Sequence, residues 1–227
     1  MKLLKKDNIY HIFFVRSVGN FIFLASALGL LFTFWPLISS EAGYRVHLLR
    51  GEVWVAQGDV NKSFGTLLEG KQNIKVLSPQ SVDFGIIVEK IGANAPVIAN
   101  VDAGSKSEYD AALKKGVAHA KGTVFPGMKG VSYIFAHSTG NFWDVQRYNA
   151  VFYLLRNLEV GDRIVTYFGG RRFDYIVEEK KVVPPSDVSY FTLKTEEPLL
   201  VLQTCDPPGS SINRLIVVAK LEGQPTN

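Results

Sequence analysis

The chain contains a single cysteine, Cys205, which ends the apolar run LLVLQTC at residues 199–205. A lone cysteine can form neither an intrachain disulfide nor a cysteine-based structural zinc site. Two interpretations of Cys205 therefore stay open: a small buried apolar residue, or a reactive thiol. Which interpretation applies depends on the residues that the fold places next to Cys205.

Two other ionisable residues stand at the ends of apolar runs in the same way. His137 follows the run at 133–136, and Arg214 precedes the run at 215–218. A nucleophilic thiol needs a nearby base, and histidine is the usual one. Acyl transfer also needs positive charge where the carbonyl oxygen becomes an oxyanion, which an arginine supplies. The three residue types predict acyl transfer, although each alone also fits a purely structural role.

The spacing indicates which elements position these residues. Cys205 and Arg214 are nine residues apart, which predicts a strand–loop–strand hairpin that returns Arg214 to the same end of a sheet. Nothing in the spacing alone brings His137 to this pair.

The sequence after residue 83 predicts mostly β structure. Short apolar, β-branched runs are separated by turn residues, and Gly169-Gly170-Arg171 is a strong hairpin signal. Many short strands with few helices predict a closed or nearly closed β-barrel. The predicted strands are 84–91, 95–101, 131–136, 163–168, 172–177, 198–204 and 215–221, with helical patterns at 109–115 and 149–157.

An uncharged segment of eighteen residues, 21–38, is long enough to cross a bilayer as a helix. Its leader carries Lys2, Lys5, Lys6 and Arg16, so the positive-inside rule predicts a cytoplasmic N-terminus and an extracellular domain. A signal peptide cleaved near Ser40-Glu41-Ala42 and a buried helix of a soluble domain are the alternatives. The predicted layout is a cytoplasmic leader (1–20), a transmembrane signal-anchor (21–38), a stalk (39–82) and a catalytic domain (83–227).

Ordered motifs between residues 83 and 222 resemble those of sortases. The sequence VLQTC at 201–205 is similar to the TLxTC strand of that family, and FAH at 135–137 is similar to its histidine motif. Arg214 follows on the next strand, and the pattern Y-x-x-A-L-x-x-G-V-x-H-x-x-G-T-x-x-P-G at 109–127 is also similar. The resemblance implies a closed sortase-type β-barrel with short helices, preceded by a transmembrane helix.

The resemblance also implies site residues. Cys205 would be the nucleophile, His137 the acid and base, and Arg214 the cation on the oxyanion side. Thr204, His119 and Ser138 would support the site or bind substrate. For His119 the alternative to lining the site or tuning His137 is a structural hydrogen bond to a loop carbonyl, and this structural role is the favoured one.

The sequence departs from the family pattern at several positions: Val201 replaces a threonine, Ser138 an arginine, and Phe135-Ala136 an alanine–glycine pair. The short loop DPPGSSIN resembles the compact class D and E types, and together these departures bear on substrate preference.

The activity implied is cleavage of an LPXTG-like sorting signal on secreted proteins, followed by transfer to an amine of a cell-wall precursor or a pilin. A cysteine endopeptidase with water as acceptor and a catalytically silent peptide-binding barrel are the alternatives. No basic stripe with interleaved aromatics indicates nucleic-acid binding. No cofactor is expected, although the acids Asp102, Glu108 and Asp110 offer calcium as an alternative to solvated loop acids.

Overall fold

The computed structural model describes residues 4–58, 73–137, 151–208 and 210–223. By its internal contacts the chain forms two compact units, Met1–Ser40 and Glu41–Asn227.

The N-terminal unit is helical. Helix α1 begins at Leu4 and ends at Leu49. Within it, Tyr10–Trp35 is long and apolar enough to cross a membrane, and its large side chains are exposed, for example Phe21 and Phe23 at 74%. The predicted membrane segment overlaps this span, but the helix begins earlier and ends later than the hydropathy alone indicated.

The second unit is mostly β, as predicted. Its strands are β1 (Glu52–Ala56), β2 (Asn73–Leu77), β3 (Phe84–Val88), β4 (Ala93–Val101), β5 (Val117–Ala120), β6 (Gly130–Phe135), β7 (Arg163–Phe168), β8 (Arg171–Val183), β9 (Pro198–Asp206) and β10 (Asn213–Leu221). Its α-helix among the described residues, apart from the end of α1, is α2 (Lys106–Leu113), and 3-10 turns occur at Glu89–Ile91 and Tyr153–Asn157.

Eight of these strands close into a barrel in the order β10-β8-β7-β3-β4-β5-β6-β9. The pairs β4–β5 and β6–β9 are parallel, and the remaining pairs are antiparallel. Strands β7 and β8 form the predicted hairpin, with Phe168 opposite Arg171. Gly169 and Gly170 between them both have positive φ (57° and 74°), the conformation that a two-residue turn of this kind requires.

The barrel interior is filled by branched aliphatic side chains from every side. These include Ile86, Val88, Ile134, Leu200 and Ile216, each at most 1% exposed. Burying each such side chain contributes about 1.5–3 kcal/mol relative to exposure. The closed, packed interior therefore gives a rigid frame for side chains at the strand ends.

The predicted stalk contains structure of its own, since β1 and β2 pair in parallel. Ala56 of β1 packs with Ile87, Val165 and Tyr167 on the outside of the barrel. The Ala56 N–H also donates to the buried carboxylate of Glu89 over 2.8 Å. Strand β3 is thus buried on both faces, which explains its continuous apolar sequence. The limits of the predicted domain layout stay a prediction.

Two predicted helices differ in the structure. Helix α2 begins at Lys106 and ends at Leu113, so it starts three residues before the predicted segment 109–115. In the predicted helix 149–157, residues 149 and 150 lie outside the described residues, and Tyr153–Asn157 forms a 3-10 turn instead of an α-helix.

Candidate active site

The structure places Cys205 and Arg214 side by side. They are direct partners in the antiparallel register of β9 and β10. The guanidinium Nη1 of Arg214 lies 3.6 Å from the half-buried Sγ of Cys205. The same nitrogen donates to the carbonyl oxygens of Ser211 (3.3 Å) and Asn213 (3.1 Å), which hold the guanidinium beside the thiol.

The neighbouring strand β6 brings His137 to this end of the barrel. Strands β6 and β9 run parallel with Phe135 opposite Gln203. The ladder continues beyond Phe135, because the Ala136 N–H donates to the Gln203 carbonyl over 3.1 Å. His137 follows Ala136, two residues past the end of β6, and Cys205 lies two residues beyond Gln203. Because paired parallel strands advance in step, the two residues leave the strand pair at the same end.

All three side chains line one cleft of about 920 Å³. Helix α2 contributes Lys106, Tyr109 and Asp110 to the lining. The segment 184–197, which joins β8 to β9, contributes side chains that include Val188 and Phe191. The cleft therefore joins a thiol, an imidazole and a guanidinium to both polar and apolar surface, as a peptide-binding site requires.

A hydrogen-bonded pair lies within this cleft. The Tyr133 hydroxyl donates to Oε1 of Gln203 over 2.6 Å, and burial raises the pKa of Tyr133 although the nearby charge of Arg214 lowers it. The Tyr133 ring meets the ring of Phe191 edge to face at 5.6 Å. Because the amide oxygen of Gln203 accepts from Tyr133, the amide NH₂ is the group left to donate to a ligand.

The segment 184–197 presents apolar side chains beside the pair. Val188 is 60% exposed and Phe191 is 37% exposed. Asp187, in the same segment, accepts hydrogen bonds from Ser189, which lower the pKa of its carboxyl group. An ionised carboxylate thus borders an exposed apolar surface at the edge of the cleft.

The α2 side of the cleft carries a charged pair next to His137. The Asp110 Oδ1 lies 3.8 Å from Nε2 of His137, and Asp110 Oδ2 accepts from the ammonium of Lys106. The Tyr109 ring meets the His137 ring edge to face at 6.2 Å.

The three predicted supporting residues have different surroundings. Thr204 contributes to the cleft lining, and its buried hydroxyl has no hydrogen-bond partner among the described residues. Ser138 lies outside the described residues.

His119 is fully buried inside the barrel and does not line the cleft. Its Nε2 lies 3.0 Å from the Val124 carbonyl oxygen, the loop contact that was one of its two predicted roles. Burial lowers the pKa of His119, and the Asn100 N–H donates to Nδ1 over 3.4 Å. Phe84 and Phe125 surround the neutral ring.

The acids considered for calcium bind groups of the chain itself. Asp102 accepts from the Gly104 N–H, Glu108 accepts from the Asp102 N–H, and Asp110 faces Lys106 and His137. Within the described ranges, no group of three or more His, Cys, Asp or Glu side chains is placed to hold a metal ion. Both the expected absence of a cofactor and the calcium alternative stay predictions.

Sequence reasoning did not assign Tyr133, Gln203 and Asp110 to the cleft. Asp110 was noted as one of several loop acids, but its place on α2 beside His137 depends on how that helix docks. The alternation along β9 offered a signal for Gln203, because a residue two positions before Cys205 shares its face of the strand.

Comparison with known proteins agrees with this architecture. A family model described as the sortase domain matches residues 86–222. Comparison with curated proteins gives no match.

Three solved structures are similar to this chain. Sortase A from Corynebacterium diphtheriae aligns with a TM-score of 0.53 and 24% identity over 66% of this chain and 65% of its own, so the match spans slightly less than two thirds of that protein. Sortase C-1 from Actinomyces oris aligns with a TM-score of 0.53 and 24% identity over 62% of this chain and 73% of its own. The Clostridium perfringens Sortase D5 transpeptidase aligns with a TM-score of 0.51 and 26% identity over 73% of this chain and 91% of its own.

Proposed function

The chain belongs to the sortase family, and we propose that it is a membrane-anchored cysteine transpeptidase with Cys205 as nucleophile. The observation that carries the proposal is the register that sets Arg214 beside Cys205, with 3.6 Å between Nη1 and Sγ. The guanidinium beside the thiol is a permanent cation with several N–H donors, which can stabilise the oxyanion that forms when the sulfur attacks a carbonyl carbon.

In the proposed first half-reaction, the Cys205 thiolate attacks the carbonyl carbon of the scissile peptide bond. The carbonyl oxygen becomes an oxyanion, which the guanidinium of Arg214 stabilises. When the C–N bond breaks, its electron pair leaves on nitrogen, and that nitrogen takes a proton from the His137 imidazolium. The amine departs, and the acyl group remains on Cys205 as a thioester.

In the second half-reaction, an amine attacks the thioester carbonyl. Neutral His137 takes the proton that this amine loses, and the Cys205 thiolate leaves as the new amide forms. The products are a transferred acyl group, a thiolate and an imidazolium, so the enzyme returns to its starting state. Water in place of the amine gives hydrolysis.

We further propose an LPXTG-like sorting signal on secreted proteins as the donor, and an amine of a cell-wall precursor or a pilin as the acceptor. The similarity to sortases A, C and D supports these classes. The apolar span Tyr10–Trp35 supports a single-pass membrane anchor, and its basic leader supports an extracellular catalytic domain.

Mass spectrometry of a peptide reaction tests the proposal. Detergent-solubilised full-length protein is mixed with a panel of LPXTG-like peptides, with and without an added glycine peptide or lysine peptide. We expect an amide joining the acyl fragment to the added amine, and no thioester or product from Cys205→Ala, which removes only the sulfur. Release of free acid alone at every amine concentration would indicate an endopeptidase, and turnover by Cys205→Ala would exclude the proposed nucleophile.

A further inference from the structure

Helix α2 presents a carboxylate to the imidazole from outside the barrel. Oδ1 of Asp110 lies 3.8 Å from Nε2 of His137, and the two side chains are 23% and 24% exposed. Both line the cleft that contains Cys205. The Tyr109 ring, on the preceding residue of α2, limits the space beside the His137 ring through an edge-to-face contact.

This geometry distinguishes the two ring nitrogens. Nε2 is the ring nitrogen that faces the carboxylate of Asp110. A carboxylate at this distance also favours the imidazolium, the form that must protonate the leaving amine.

We propose that Asp110 is a positioning residue for His137, which holds Nε2 toward α2 and stabilises the imidazolium during acylation. The inference rests on the proposed function, because the role concerns proton transfer in that reaction. Asp110 itself does not touch the reacting atoms in this scheme. It acts through the orientation and charge of the imidazole.

The charge of Lys106 weakens the stabilisation of the His137 imidazolium by Asp110. The Lys106 ammonium binds Oδ2 of the same carboxylate, one turn earlier on α2. The cation draws charge from the carboxylate and also repels an imidazolium, so it opposes what Asp110 does. Replacing Lys106 and replacing Asp110 should therefore move the titration midpoint of His137 in opposite directions.

The other charged groups that line the cleft stay constant in this comparison. Asp102 lies just before α2, Lys121 follows β5, and Asp187 lies in the segment 184–197. Arg214 and the Cys205 thiol lie on β10 and β9, and the Tyr133 hydroxyl lies on β6. Glu108→Gln is the matched control, because it removes one carboxylate charge from the same helix. The Glu108 side chain accepts from the Asp102 N–H instead of facing His137, and a glutamine can still accept that bond.

The first readout is the titration of His137 itself, which needs no substrate. Full-length protein in detergent is labelled on its four histidines, and the His137 resonance is assigned by its loss in His137→Asn. We expect the titration midpoint to move to lower pH in Asp110→Asn and to higher pH in Lys106→Met, with no change in Glu108→Gln. An unchanged midpoint in Asp110→Asn, or an equal change in Glu108→Gln, would overturn the proposal.

The second readout is kinetic. We expect Asp110→Asn to lower kcat/KM for a sorting peptide about tenfold, mainly through kcat and with a shifted pH profile. Removing the partner that orients a metal-binding histidine has effects of about this order. Asp110→Glu, which keeps the charge, should recover part of the loss. Equal kcat/KM in Asp110→Asn and wild type would count against the role. If wild-type protein turns over no peptide, the proposed function fails, whereas the titration still decides whether Asp110 controls His137.

Discussion

Replacing Arg214 tests whether its charge alone, or its planar group of donors, supports the reaction. The guanidinium lies 3.6 Å from Sγ of Cys205 and is held by two backbone carbonyls. Two unit charges at that distance interact by about 1 kcal/mol with the dielectric of water and about 5 kcal/mol at an effective dielectric of 20. Because the site is half-open, we expect a loss of about 3 kcal/mol in Arg214→Ala, a reduction in kcat/KM of about 160-fold, similar to the loss of one oxyanion donor.

Arg214→Lys separates the two contributions. Lysine keeps a positive charge but ends in a single nitrogen, so it cannot hold the carbonyls of Ser211 and Asn213 and reach the thiol with the same planar geometry. We expect an intermediate loss of about tenfold, near 1.4 kcal/mol.

The assay is the initial rate of thioester-dependent peptide cleavage, measured over a range of peptide concentrations. Arg171→Lys is the matched control, because Arg171 lies at the exposed start of β8 over the ring of Phe173, outside the cleft. Wild-type kcat/KM in Arg214→Lys would assign Arg214 a structural role. An equal decrease in kcat/KM in Arg214→Lys and Arg171→Lys would show that replacing any arginine has this effect, and would count against a specific role of Arg214.

Two further predictions concern His119 and the membrane segment. Burial lowers the pKa of His119 in the folded protein below the value of about 6.5 in the unfolded chain. The unfolded chain therefore binds the extra proton first, so the stability that neutral His119 provides is complete above about pH 6.5 and is lost as the pH falls below it, by at most about 1.4 kcal/mol per pH unit. Urea denaturation gives the free energy of unfolding at pH 7.5 and at pH 5.5. The change in this free energy between the two pH values should be smaller for His119→Gln than for wild type, and an equal change in both proteins would contradict the prediction. For the membrane segment, cell fractionation should give full-length protein in the membrane pellet, which external protease shortens to an N-terminal fragment. Complete protection would refute the orientation, and a released protein beginning near Gly43 would indicate a cleaved signal peptide.

The barrel was predictable because its strands carry local signals. The pair of glycines at 169–170 marks a hairpin by itself, since both residues have positive φ there. Strand β9 is a continuous apolar run between turn residues, and the short spacing between Cys205 and Arg214 allows one antiparallel return. In each case the information lies within about fifteen residues of sequence.

The parts that sequence reasoning missed depend on contacts between distant segments. Strand β5 has four residues, too few to show a period, and pairs in parallel with β4 across the intervening helix α2. Strand β2 is largely exposed and is held by its pairing with β1. Neither strand carries a pattern that would distinguish it from a loop.

The position of His137 shows the same limit within the site. Its motif was recognisable, but its proximity to Cys205 follows from the parallel pairing of β6 with β9, which are separated by more than sixty residues. No local spacing predicts that register. The Asp110 carboxylate depends further on the docking of α2 against β4 and β5, so two long-range arrangements must be known before it can be placed beside the imidazole.

The barrel order gives these side chains unequal constraints. Cys205 lies on β9, which is paired on both sides, by β6 and by β10. A shift of the thiol would therefore disturb two hydrogen-bonded ladders. Arg214 is the direct partner of Cys205 on β10, and His137 follows the end of β6, so both are tied to the same strands. Asp110 and the segment 184–197 lie outside the barrel strands, where substitutions cost less packing. We therefore expect the three strand-end residues to determine the chemistry, whereas α2 and the segment 184–197 set proton affinity and peptide preference.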